Sequence, residues 1–167
     1  MAGLEHFKFC PRCGSPLALS ERSESKGQRA QCNKPDCGFI DYQNPLPVVA
    51  AIVEHEGKVL LVRAKGWPEK MYGLVTGFLE SGEAPEAGIL REVKEELGLE
   101  GQVVSLVGAY TFDLRNELIV AYHVKATGTV TVGDELEGYK AIEPGKLRPW
   151  PFGTGHAVSD WLARRPA

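Results

Sequence analysis

Residues 77–99, GFLESGEAPEAGILREVKEELGL, constrain this chain more than any other stretch. Their second half predicts a helix over residues 85–97. Pro85 suits a first turn, where its missing N–H is no loss, and Gly98 suits the stop. At about 100° per residue, Ala87, Leu90, Val93 and Leu97 gather on one side, a stripe expected to pack on a sheet. Glu92, Glu95 and Glu96 gather on the other side. Glu92 stands i,i+3 from Glu95 and i,i+4 from Glu96, spacings at which like charges repel. Gly88 lies one turn earlier on that same side, and an interior glycine costs about 1 kcal/mol against alanine. Two local penalties on one face predict a close approach there. A divalent cation answers both, because carboxylate oxygens are the preferred ligands of magnesium. The glycine leaves room beside it for a loop or a phosphate. The alternative is an ordinary solvated helix face.

The rest of the chain frames this helix. VVAAIVEHEGKVLLVRA reads as two strands about a tight turn at Glu56-Gly57-Lys58. Residues 66–76 read as a loop leading into a short strand, and GFLESGE as a glycine-rich loop. QVVSLVGAYTF and ELIVAYHVKAT read as two more strands joined around residues 113–116, and GYKAIEP as a further strand. HAVSDWLARR predicts a last helix with Ala157, Val158, Trp161 and Leu162 on one face. The fold class is therefore α/β, a mixed sheet with helices on its faces.

Cys10, Cys13, Cys32 and Cys37 all fall in the first quarter of the chain, as C-x2-C, an 18-residue gap and C-x4-C. Four thiolates from two short turns can close a tetrahedral shell around zinc. With every ligand from protein no position stays open for catalysis, so the role is structural. Gly14 and Gly38 follow the second cysteine of each pair and are expected to turn backbone N–H groups toward the sulfurs. A disulfide pair, an iron–sulfur site and a redox C-x-x-C are the competing readings. His6 is an alternative ligand. The polar segment SERSESKGQRA is expected at the tip or outer strands of this ribbon. About forty residues bury little core, so the metal is expected to supply the folding energy. DYQNPLP reads as a linker, which places the ribbon at 1–44 and the main domain at 45–167.

Residues 77–99 also carry a known pattern. Gly77, Glu83, Arg91, Glu92, Val93, Glu95, Glu96, Gly98 and Leu99 fill every fixed position of G-x5-E-x7-R-E-U-x-E-E-x-G-U, with U a bulky aliphatic. This resembles the signature of Nudix hydrolases, and the cysteine segment resembles the ribbon that precedes the domain in members acting on NADH, FAD or ADP-ribose. The resemblance implies an α/β/α sandwich and a magnesium- or manganese-dependent enzyme. Its reaction would be hydrolysis of a nucleoside diphosphate linked to another moiety. By position, it implies that Glu92 and Glu96 bind metal and that Glu95 binds metal or takes a proton. It makes the Gly77 carbonyl a backbone ligand, and it makes Arg91 and Glu83 a brace between loop and helix. It also implies an acidic residue from a later loop, for which GDELEGYKAIEP offers Asp134, Glu135 and Glu137; Glu137 is the one expected. Ribbon-bearing members are often dimers, so a homodimer is implied, although no segment shows an interface.

The members that act on NADH carry a motif like SQPWPFPxS shortly after the box, where this chain reads VGAYTFDLRN. Its own PWPF, residues 149–152, lies some fifty residues past the box and is expected to be a buried turn. Phe78, Tyr110, Phe112 and Tyr72 are candidates to stack on a base. Arg63 is a candidate phosphate contact or one half of a salt bridge. His55, His123 and His156 have no spacing that suggests a site.

The net charge of −3 and the absence of a basic stripe argue against a nucleic-acid partner. Arg12, Arg22, Lys26, Arg29 and Lys34 in the ribbon are offset by Glu5, Glu21, Glu24 and Asp36. No apolar run approaches the roughly 20 residues of a membrane helix, and the N-terminus lacks the apolar core of a secretion signal. A cytosolic (cytoplasmic) protein is expected. Two rival readings are a nucleotide-binding regulator without catalysis and an RNA cap-trimming protein that uses its ribbon on RNA. Isomerase chemistry on isoprenoid diphosphates would call for a cysteine outside the ribbon, and none exists.

Overall fold

The computed structural model describes residues 7–21 and 28–165 of the 167. Its contacts divide the chain into two compact units, Met1–Asn44 and Pro45–Ala167. In the first, strand β1 (Leu17–Glu21) pairs antiparallel with β2 (Gln28–Cys32), Leu17 facing Cys32. Cys10, Leu17, Ala30 and Cys32 form its small core. Glu5, His6, Arg22, Glu24 and Lys26 lie outside the described residues.

The second unit begins with a hairpin, β3 (Leu46–His55) and β4 (Lys58–Ala64). His55 pairs with Lys58, so the loop is Glu56-Gly57 alone, both at positive φ. That backbone matches the twist of a two-residue hairpin, and glycine supplies half of it without strain. β3 is apolar on both faces and runs through the middle of the sheet, as a strand covered on both sides must. One of its edges pairs in parallel with β7 (Glu117–Thr127). Its other edge is shared, β5 (Val75–Phe78) taking the first half and β4 the second. The six-stranded sheet runs β6-β7-β3-β4-β8 with β5 alongside β3, where β6 is Glu100–Phe112 and β8 is Leu136–Ile142. One parallel pair among antiparallel ones makes the sheet mixed.

Alternation along β3 builds two cores. Val49, Ala51 and Val53 face one way and meet Ile89, Val93 and Leu97 of helix α1 (Pro85–Leu97). Val48, Ala50 and Ile52 face the other way and meet Ala157, Val158 and Trp161 of α2 (Gly155–Arg164). The result is an α/β/α sandwich. α1 ends as expected, with Gly98 at φ 68° donating its N–H to the Lys94 carbonyl. Among the described residues no helix is long and apolar enough to cross a membrane.

Two expectations are corrected. The buried side of α1 takes in Ile89, which the expected stripe left out, and excludes Ala87, which is exposed. Glu92 and Glu96 therefore flank the buried stripe instead of opposing it, and only Glu95 points outward, its side chain 59% exposed against 13% for Glu92. The reason is local: β5 offers α1 the bare backbone of Gly77, and the carboxylates turn into the space that no side chain fills. The turn also closes one residue earlier than expected, with Lys58 already in β4. In the ribbon, backbone N–H groups do reach the sulfurs: that of Lys34 lies 3.4 Å from Cys32 Sγ and that of Ser15, just after Gly14, bonds Cys13, while Gly14 itself donates to the Cys10 carbonyl.

Candidate active site

Between β5 and α1 lies a cleft of about 700 Å³. Glu80, Glu92, Glu95, Glu96, Glu117, Asp134 and Glu135 line it, against the two guanidiniums of Arg91 and Arg115. Gly77 sits at its floor, and a Cβ placed there would land on the Glu92 carboxylate. Glu96 lies deepest. Its Oε2 is buried and has no hydrogen-bond partner. Burial first, then the nearby charges of Glu92 and Glu135, push its carboxyl up to about 8. Burial also raises Glu92, against the opposing pull of Arg91. A buried acceptor without a donor carries its full desolvation cost. Divalent cations take such carboxylate sets as ligands, so this donor set fits one.

Arg91 organises the near wall. Its Nε and Nη2 donate to the two Glu83 oxygens at 2.9 and 3.0 Å, a bidentate pair that ties the loop before the helix to the helix itself. Nη1 reaches Glu92 at 2.6 Å and Glu95 at 3.1 Å, and Nη2 also donates to the Phe78 carbonyl at 3.3 Å. Hydrogen bonds from Arg91 and from the Glu80 N–H lower the Glu83 pKa, and Glu83 first, then Glu92 and Glu95, raise that of Arg91. At Gly88 an added Cβ would meet Glu83 Oε2 at 2.9 Å and Leu79 Cδ1 at 3.0 Å. The neighbour that required a glycine there is thus the loop.

The far wall arrives from the connection between β7 and β8. Thr131 donates to the Leu97 carbonyl at 2.8 Å and Gly133 to the Glu96 carbonyl at 2.9 Å. These bonds satisfy acceptors left open at the end of α1. The approach depends on Gly133, whose Cβ would strike the Glu95 carbonyl. It delivers Asp134 and Glu135 to the cleft. Glu137, the acid expected from sequence, is not there: it pairs with Arg63 at 2.5 Å across β4 and β8. That contact also places Arg63 in a salt bridge. Leu136, which is buried, separates the two acids and sends them to different neighbours.

A second cavity of about 320 Å³ adjoins the cleft and shares Val48, Thr76, Arg115 and Glu117 with it. Tyr72 and Phe112 line it, in keeping with a stacking role. Trp150 and Phe152 line it too, so PWPF is no mere buried turn; Phe152 stacks on Phe112 with centroids 6.5 Å apart. Trp67 and Glu117 carry no sequence signal that points to this site. Tyr110 lies elsewhere, donating to Asp160 at 2.8 Å, and Phe78 stands exposed at the mouth of the acidic cleft. His55 bonds the Gly128 carbonyl and His123 bonds Glu54, both at 2.9 Å.

In the ribbon the four cysteine sulfurs lie within 4.8 Å of one another, and none is in a disulfide. The closest pairs are Cys13 with Cys32 at 3.5 Å and Cys10 with Cys37 at 3.7 Å. Hydrogen bonds from Ser15 hold the Cys13 thiol down at about 6. Such a set of four soft donors suits zinc.

The chain belongs to the Nudix family: the NUDIX domain profile matches residues 44–160, and the Nudix N-terminal zinc-ribbon profile matches residues 8–43. It is 28% identical over 165 residues to the NAD-capped RNA hydrolase NudC of Pseudomonas aeruginosa, covering 96% of this chain and 57% of that protein. The Pseudomonas putida protein of the same name is 28% identical over 166 residues, with 96% and 58% covered. This chain thus spans under three-fifths of the length of these relatives. The crystal structure of a NUDIX hydrolase from Nitrosomonas europaea superposes with a TM-score of 0.78 at 26% identity, covering 95% of this chain and 92% of that one. An ADP-ribose pyrophosphatase from Streptococcus suis shares the fold at a TM-score of 0.59 and 20% identity, with 74% and 96% covered.

Proposed function

We propose that the Nudix unit, residues 45–167, is a magnesium- or manganese-dependent pyrophosphatase acting on a nucleoside diphosphate linked to a second moiety. The buried, partnerless Glu96 Oε2 carries this reading, because it sits in a cleft whose acids outnumber its cations. Glu92, Glu96, Glu135 and the Gly77 carbonyl would hold the cation, with Glu95 at the rim. Bound there, a divalent ion neutralises diphosphate charge and makes a coordinated water more acidic. Arg91 fixes Glu92 and Glu95 in place while its bidentate grip on Glu83 keeps the loop closed. Glu95, the most exposed acid of the three on α1, is placed to take the proton from an attacking water. As the new P–O bond forms, the anhydride P–O bond breaks, leaving a nucleoside monophosphate and a second phosphomonoester. Arg115 meets the phosphate farther from α1. The ribbon, residues 1–44, holds one zinc ion as a folding element.

The experiment is a panel of ADP-ribose, FAD, NADH and a diadenosine polyphosphate with magnesium, compared by kcat/KM. The name of the Pseudomonas relatives adds NAD-capped RNA to the panel, against the expectation of no nucleic-acid partner. Turnover of at least one compound, lost by about 100-fold or more in a folded Glu96→Gln variant, is the expected result. Near-normal phosphomonoester release by that variant would refute the assignment.

A further inference from the structure

Glu117, only 9% exposed, is a charged residue that the proposed hydrolysis does not use. It begins β7 and lines both the acidic cleft and the aromatic cavity. Among the described residues no hydrogen bond or ion pair engages its carboxylate. Around it stand Trp67, Tyr72, Phe112, Trp150 and Phe152. One face of Tyr72 is already covered by the Lys140 ammonium, 4.0 Å from the ring centroid. Trp67 is held against Gly73, where a Cβ would come within 3.2 Å of the indole. The stacking surface is therefore left to Trp150 and the Phe112–Phe152 pair. A largely aromatic cavity with a few convergent polar groups is the usual form of a small-ligand site. Here Glu117 is the one carboxylate, beside Thr76, Thr154 and the cations Lys70 and Arg115, and the volume suits one ring system.

We propose that this cavity seats the base of the substrate and that Glu117 is its specificity-determining residue, favouring a base edge that presents two adjacent N–H donors. The inference rests on the nucleotide-hydrolase reading for its biological sense, since the shared residues Thr76 and Arg115 connect the cavity to the cleft that would take the diphosphate. A carboxylate only accepts hydrogen bonds. Guanine offers it N1–H and N2–H side by side, a bidentate match. Hypoxanthine offers N1–H alone. Adenine offers one amino group flanked by ring acceptors, which a carboxylate repels. Guanine-type nucleoside diphosphate derivatives are therefore the preferred class, ahead of ADP-ribose, FAD and NADH.

The test needs no turnover. GMP, IMP and AMP are titrated into the full chain in magnesium-free buffer and binding is read by quenching of tryptophan fluorescence. The expected order of affinity is GMP, then IMP, then AMP. Glu117→Gln is nearly isosteric and gains a donor, so it should shrink the GMP-to-AMP ratio by about tenfold or more, the effect of one mismatched bidentate pair. Trp150→Leu should weaken all three nucleotides by about tenfold while keeping their order, because stacking is blind to the base edge. AMP binding as tightly as GMP, or an unchanged ratio in Glu117→Gln of native circular dichroism, overturns the proposal. If the order holds but no substrate is ever hydrolysed, the hydrolase reading falls and the base seat stands. If a substrate is hydrolysed but the order fails, the base seat falls and the hydrolase reading stands.

Discussion

With no cation in the cleft, an ionised Glu96 is a buried charge among other carboxylates. Its pKa of about 8 lies above the ordinary 4.5, so the folded protein binds this proton more tightly than the unfolded chain does. That contribution to stability is complete below about 4.5 and is lost as pH rises through about 8. In magnesium-free buffer that retains zinc, the urea midpoint should fall between about pH 5 and pH 8.5, and Glu96→Gln should remove most of the decline. Tryptophan fluorescence reads this cleanly, since Trp67, Trp150 and Trp161 all belong to the second unit. A variant whose midpoint falls as steeply as the wild type would show that Glu96 is not the group responsible. The glutamates of α1 are legible in the sequence because helical spacing alone groups them. Glu135 cannot be told from Glu137 there, because what separates them is the strand register that begins at Leu136. Glu117 gives no signal at all: a charged residue at the start of a strand is ordinary until two cavities close around it.

At the scale of elements, the contact between α1 and the connection after β7 assembles the site. Gly133→Ala would drive a methyl group into the Glu95 carbonyl and push Asp134 and Glu135 away. Overpacking of this kind costs about 1–3 kcal/mol. The urea midpoint should drop accordingly, and magnesium affinity should weaken by more than Asp134→Asn alone produces. Unchanged affinity with full loss of stability would mean that the connection supports the fold and not the site. Helix limits are predictable because Pro85 and Gly98 bound α1 chemically. Its inward side is not, because a wheel that counts Ala87 and omits Ile89 takes no account of Gly77 opposite, whose missing side chain lets Glu92 and Glu96 turn in.

At the scale of the whole molecule, hairpins and helices follow from local pattern, but the strand order does not. The parallel pairing of β3 with β7 joins residues some seventy positions apart, and β3 divides one edge between β4 and β5. Nothing local announces either arrangement. The ribbon is the opposite case, since cysteine spacing alone brings four sulfurs together. One zinc per chain is expected, and its removal by a chelator should abolish amide-exchange protection across residues 28–32, because so small a core cannot hold β2 unaided. Protection that survives chelation would contradict a folding role for the metal. The Nudix unit makes its central demand elsewhere, at the floor of the acidic cleft. A crystal grown with manganese and a non-hydrolysable nucleoside diphosphate analogue, measured for anomalous scattering, tests it most directly. The account predicts a peak within about 2.5 Å of Glu92, Glu96 and the Gly77 carbonyl, with the diphosphate oxygens on its open side. The analogue bound in the cleft with these carboxylates in place and no anomalous peak between them would contradict it.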